Sequence, residues 1–156
     1  MAVTDQKSAQ LQRVASNPGD GSQSSAGIQV APFDFTQSGA GDATSILRLC
    51  ELSGGRIRII PELCKAIVSE FGTSRTLTIG YAENRVRPTG EILAADPDFL
   101  VTTNTTAAAG GTITGSSFLD VEVEVLDRLL ITATVAGGTI PDGATVRGRI
   151  AFLPMT

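Results

Sequence analysis

From about residue 43 onward the chain alternates apolar and polar positions in short runs closed by glycine. Residues 45–52 (SILRLCEL) form a near-continuous apolar run ending at Ser53-Gly54-Gly55. Residues 56–60 then alternate, Ile57 and Ile59 against Arg56 and Arg58. A two-residue period sends successive side chains to opposite faces of a strand, and Gly-Gly supplies the positive φ of a tight hairpin between these two strands. The same period returns in 75–81 with Leu77, Ile79 and Tyr81 on one face, and in 121–125 with Val121, Val123 and Val125 opposite Glu122 and Glu124. Residues 129–135 set Ile131, Ala133 and Val135 against Thr132 and Thr134, and 144–153 set Val146, Ile150 and Phe152 against Arg147 and Arg149. Ala136-Gly137-Gly138 and Ile140-Pro141-Asp142-Gly143 are turn sequences between strands. Short alternating strands with glycine turns predict an all-β fold, an antiparallel β-sandwich or jelly-roll-like barrel.

Two stretches interrupt this pattern. In 61–71 (PELCKAIVSEF), Leu63, Ile67 and Phe71 share a face whether the segment is a helix or a strand. Its place between strands, and Gly72 after it, favour a strand. The stretch 83–115 is long and mixed, and Asp96-Pro97-Asp98 has the chemistry of a helix start, with Asp96 as cap and Pro97 at the first position. A short helix in a long loop is therefore expected there, ending by Gly110-Gly111. Residues 1–27 are rich in Gln, Ser, Asn and Gly, with Asn17-Pro18-Gly19-Asp20-Gly21 and Ser22-Gln23-Ser24-Ser25 as linker signals and a conceivable helical turn at 8–14. They predict an extended polar N-terminal arm, either a tail or a segment that folds onto a neighbour, ahead of a single β-sandwich domain over 28–156.

Composition narrows the function. The 156 residues hold no His and no Trp, two Cys and one Tyr, so histidine-dependent catalysis and most zinc, copper and haem sites are excluded. Net charge is −4, against a general nucleic-acid or membrane-surface binder, and no apolar run approaches a membrane span. The N-terminus shows no apolar leader, so synthesis in a cytoplasm is expected, with Cys50 and Cys64 as buried free thiols more readily than a disulfide. The basic residues are ten Arg and two Lys, a bias that suits planar pairing at an interface or a GC-rich source.

No constellation carries chemistry strongly. Glu122 and Glu124 lie on one strand face at about 7 Å spacing, but a sugar-cleaving pair works in a cleft lined with aromatics, and aromatics are 4% here. Cys64-Lys65 lacks a base to activate the thiolate, and Gly39-Ala40-Gly41 precedes a strand rather than a helix. Arg48, Arg56, Arg58, Arg147 and Arg149 occupy sheet-face positions, either a salt-linked surface or a patch for an anionic partner. No cofactor or metal is implied, and no enzyme.

Three stretches in order, SILRLCELSGGRIRIIPELCKAIVSEFGTSRTLTIGYAEN, DPDFLVTTNTTAAAG and DRLLITATVAGGTIPDGATVRGRIAFL, resemble small structural proteins of tailed bacteriophages, of the capsid decoration (cement) or head-fibre type. The resemblance spans about residues 44–153, and Leu77–Tyr81 (LTIGY) and the 137–148 block are its most specific parts. It implies a virion protein on the outer capsid surface, a homotrimer that bridges neighbouring major capsid subunits. No nucleic acid, membrane or small-molecule partner is implied. The alternatives are a head-fibre or tail-associated protein that binds host glycans, and a small carbohydrate-active enzyme using Glu122 and Glu124. Partner contacts are expected at Phe33 and Phe35, which lie in a polar stretch and otherwise cap the core, and at Arg56 and Arg58.

Overall fold

The computed structural model describes residues 5–7, 27–42, 44–53, 55–82, 84–85, 92–125 and 128–155. Thirteen strands are present among them: β1 (Asp5–Lys7), β2 (Gln29–Thr36), β3 (Ile46–Leu52), β4 (Arg56–Ile59), β5 (Lys65–Val68), β6 (Thr76–Tyr81), β7 (Asn84–Arg85), β8 (Ile92–Leu93), β9 (Asp96–Asn104), β10 (Gly111–Ile113), β11 (Glu122–Glu124), β12 (Leu129–Ala136) and β13 (Thr145–Pro154). One sheet runs β1-β3-β12-β6-β9. The other is built on β13, which pairs with β2 along one edge and with β5 and β4 in succession along the other; β10 and β11 pair in turn outside β5 and β4.

That second sheet contains two interrupted strands. β4 and β5 run along β13 with a 3-10 turn at Pro61–Leu63 between them, and β10 and β11 carry a matching turn at Gly115–Ser117 beside the first. Counting each interrupted pair once, and leaving aside β1 and the small β7–β8 hairpin, eight strand positions remain. In chain order they read first-eighth-third-sixth in one sheet and second-seventh-fourth-fifth in the other. This is the strand order of a jelly roll, two Greek keys wrapped into a sandwich. The all-β reading of the sequence therefore holds, and its jelly-roll form is the one adopted.

The core lies between the sheets, where Leu47, Leu52, Ile57, Ile59, Leu77, Ile79, Ile131 and Val146 are fully buried. The apolar run of β3 looks continuous because its facing changes midway. Ile131 pairs with Cys50 but Thr132 pairs with Arg48, so Leu49 is an extra residue on that strand. Such a bulge reverses the facing of the residues beyond it; Leu47 and Leu49 point inward before it, Cys50 and Leu52 after it. Of residues 61–71, expected as a strand, only Lys65–Val68 is one, following the 3-10 turn. Cys64, Ala66 and Val68 lie inside and Leu63 and Ile67 outside, and Phe71, expected to share their face, is buried because the chain leaves the strand after Val68.

Two further expectations are corrected. Ser53-Gly54-Gly55 does not close a hairpin, because β3 and β4 belong to different sheets; Gly55 (φ 73°) turns the chain across the sandwich. Turn chemistry encodes a reversal, not which sheet receives the next strand. Asp96-Pro97 opens β9, not a helix, since the aromatic and β-branched residues after it favour a strand and proline is tolerated on this edge. The short helix, α1, comes later at Thr106–Ala109, where Asn104 Oδ1 accepts from the Thr106 N–H (2.8 Å) and Gly110 ends the turn. Of the N-terminal arm, Asp5–Lys7 form the short parallel strand on β3, and the turn expected over 8–14 lies outside the described residues.

Candidate interaction surface

Phe33 and Phe35 are not on the surface. β2 alternates, with Ala31, Phe33 and Phe35 turned inward and Val30, Pro32 and Asp34 outward; Phe33 is 3% exposed and Phe35 fully buried. The expectation that they anchor a partner is thus replaced by the alternative reading, in which they cap the core. A ring closed between two sheets offers no area to another protein.

Arg56 and Arg58 are where a partner can reach them. They project from the outer face of the second sheet, at its β4–β11 edge, and the backbone register sets Arg56 opposite Glu124 and Arg58 opposite Glu122. Their ion pairs run diagonally instead. Arg56 Nη2 donates to Glu122 Oε2 at 2.7 Å, and Arg58 donates through Nε and Nη2 to the two carboxylate oxygens of Asp120 at 3.0 and 2.6 Å. This planar two-point pairing is what guanidinium geometry provides and an ammonium cannot. The hydrogen bond from Arg58 holds the Asp120 carboxyl below its ordinary range, and the same bond raises Arg58.

The rest of that face obeys the same rule. Across three strands, Asp34, Arg147 and Ile67 lie in one row and Pro32, Arg149 and Lys65 in the next. Arg147 Nε donates to Asp34 Oδ1 (2.8 Å), and Arg149 Nε donates to the Leu63 carbonyl (2.9 Å), pinning the first 3-10 turn. Arg56, Arg58, Lys65, Arg147 and Arg149 are matched in number by Asp34, Glu62, Asp120, Glu122 and Glu124. The face is accordingly a neutral, salt-linked surface rather than a collector of anions. Arg48 stands apart on β3 in the other sheet. Glu122 and Glu124 share a face as expected, with Glu122 engaged by Arg56. Sequence reasoning missed Asp34 and Asp120, which become partners only through cross-strand register. It also missed the apolar residues set among the charges: Val30, Leu63 and Ile67, each at least 40% exposed.

Elsewhere the groups with reactive potential are closed off. Cys50 and Cys64 are free and buried. Burial pushes the Cys50 thiol far up, with Glu51 and Cys64 adding to it; burial also raises Cys64, against the Ala151 N–H that donates to its sulfur at 3.3 Å and the nearby Arg149. A thiol held protonated and covered is a poor nucleophile. In the folded protein a chromogenic disulfide at pH 8 should therefore titrate essentially no thiol, and in denaturant both; rapid labelling of the native protein would contradict the burial. Among the described residues no three Cys, Asp or Glu side chains gather as metal ligands, and no helix is long and apolar enough to cross a membrane.

No protein-family model matches the chain, and no curated protein matches it in sequence. Solved structures do share its fold. A chain in the capsid of Ralstonia phage GP4 superposes with a TM-score of 0.66 at 21% identity, over 98% of this chain and 99% of that one. A chain in the capsid asymmetric unit of cyanophage Pam1 matches at 0.55 and 16% identity, over 86% of this chain and 90% of that one. At these identities the likeness is one of fold.

Proposed function

We propose that this jelly roll is a structural protein of a tailed-phage virion, a decoration (cement) protein that binds the outer capsid surface and bridges neighbouring major capsid subunits. The observation that carries the reading is the end-to-end fold likeness to a chain of the GP4 capsid. The superposition takes in nearly the whole of both chains. The resemblance of residues 44–153 to phage decoration proteins points the same way. The mechanism is mechanical. Each copy makes modest contacts with the shell, and a homotrimer engages several subunits at once, so that separate weak contacts act together against internal pressure.

The contact surface under this reading is the outer face of the second sheet around Arg56 and Arg58. Exposed ion pairs of this kind add little to folding, yet each guanidinium keeps further N–H groups for a partner's carboxylates or carbonyls. Replacing both arginines by alanine should leave the thermal midpoint nearly unchanged and weaken binding to undecorated particles by roughly tenfold or more. Unchanged binding by sedimentation with capsids would move the contact elsewhere. Cryo-electron microscopy of the particle tests the function itself: ordered density on the outer capsid surface supports it, whereas density confined to the tail would overturn it in favour of a tail-associated protein. Light scattering at micromolar concentration should report a trimer.

A further inference from the structure

The eight strand positions of the jelly roll are complete without β1. β1 is an addition, three residues laid parallel on the outer edge of β3, with Asp5 opposite Ile46, Gln6 opposite Leu47 and Lys7 opposite Arg48. An open strand edge is a template for any segment that can complete its ladder, including the same segment of another copy. We infer that in the assembled protein this place is filled by the N-terminal strand of a second copy, so that Asp5–Lys7 of one subunit pair with Ile46–Arg48 of the next and the arms tie the oligomer together.

The chain length supports exchange. Residues 8–28, twenty-one in all, separate β1 from β2. β2 and β3 pack against each other, so a connection within one subunit has only a neighbouring edge to reach. A parallel crossover can be made with about a dozen residues. Twenty-one residues span up to roughly 70 Å, well beyond the ~15 Å radius of gyration expected for a domain of this size. The sequence around Asn17-Pro18-Gly19-Asp20-Gly21 is rich in turn and linker residue types. Exchange also preserves every pairing: the register that one arm makes at home is identical on each copy, so the swap costs no contact and turns a tie within a subunit into one between subunits. Around a closed symmetry axis, each subunit gives one arm and receives one.

This inference rests on the oligomeric decoration reading, but its test needs no capsid. Opposed Cα atoms of paired strands lie within the separation that a disulfide accepts, about 4.4–6.8 Å, and Ile46 is exposed, so substitution there leaves the core intact. Chains carrying only Asp5→Cys and chains carrying only Ile46→Cys would be co-expressed, purified and oxidised, with the double variant alongside. Covalent pairs joining one chain of each kind, and a ladder up to the full oligomer from the double variant, are expected on non-reducing denaturing gels. Closed single chains from the double variant with no mixed pairs would overturn the exchange, and so would the absence of any bond. A monomer by light scattering would overturn it together with the trimer, while microscopy of the particle would still decide the capsid reading separately.

Discussion

Replacing Phe35 by alanine should destabilise the protein by about 3–5 kcal/mol, the cost of emptying a phenylalanine site in a packed core. Phe35 is among the largest fully buried side chains of the molecule, and it sits on β2 at the place where that strand closes the second sheet over the sandwich. For a domain of this length the thermal midpoint should fall on the order of 10 °C. That loss is a sizeable share of the 5–15 kcal/mol that holds an ordinary domain folded. Asp34→Ala, one position earlier and pointing outward to Arg147, is the control, because an exposed ion pair should move the midpoint by no more than a degree or two. Thermal and urea unfolding of the two variants read the difference. If Phe35 were a partner anchor, the pattern would reverse: stability would survive and particle binding would be lost.

The burial of that ring was legible in the sequence. Ala31, Phe33 and Phe35 keep the same two-residue period as the strands farther along, with Pro32 and Asp34 between them. The polar residues around it, and the polar arm before it, made the segment look like a surface stretch. Pro32 is tolerated because β2 is an edge strand. The strands β6, β12 and β13 were legible for a plainer reason: the apolar set of each alternation is buried against the opposite sheet, even though Gly80, Thr132 and Ala151 between those positions are covered as well. β3 was legible as a strand, but its bulge was hidden, because a doubled inward position reads as an apolar run.

Long-range pairing was not legible. Nothing in Ser53-Gly54-Gly55 says that β4 lands in the other sheet, and nothing in Asp96-Pro97 distinguishes a helix cap from the start of an edge strand. At the candidate surface the arginines could be placed on a strand face from alternation alone. Their partners could not, because Arg58 meets Asp120 and Arg147 meets Asp34 only after strands distant in sequence come into register. The sign of the surface turned on that register. Five cations considered alone suggest a basic patch; with their neighbours in place the same face is neutral, and Val30, Leu63 and Ile67 stand exposed among its charges.

Gly148→Ala should be more damaging than its single added methyl suggests. Gly148 lies in the middle of β13, between Phe33 of β2 and Ala66 of β5. A Cβ built there falls on the carbonyl oxygen of Lys65 and 2.9 Å from the Ala66 Cα. Both obstacles are backbone, and neither can step aside: β5 is held by β13 on this side and by β10 on the other. The φ of Gly148 is not in the left-handed region, so the need is for room and not for an unusual backbone conformation. Overpacking at so fixed a place should cost about 3 kcal/mol or more, the upper end of what an inserted methyl does. Two other glycines calibrate the effect. Gly143→Ala meets open space but a φ of +76°, which costs about 1–2 kcal/mol, and Gly27→Ala meets neither obstacle and should be nearly silent. Urea unfolding of the three variants should rank them in that order. A Gly148→Ala protein as stable as Gly27→Ala would mean that β5 does not approach β13 this closely, and the interrupted-strand packing beneath the arginine face would have to be redrawn.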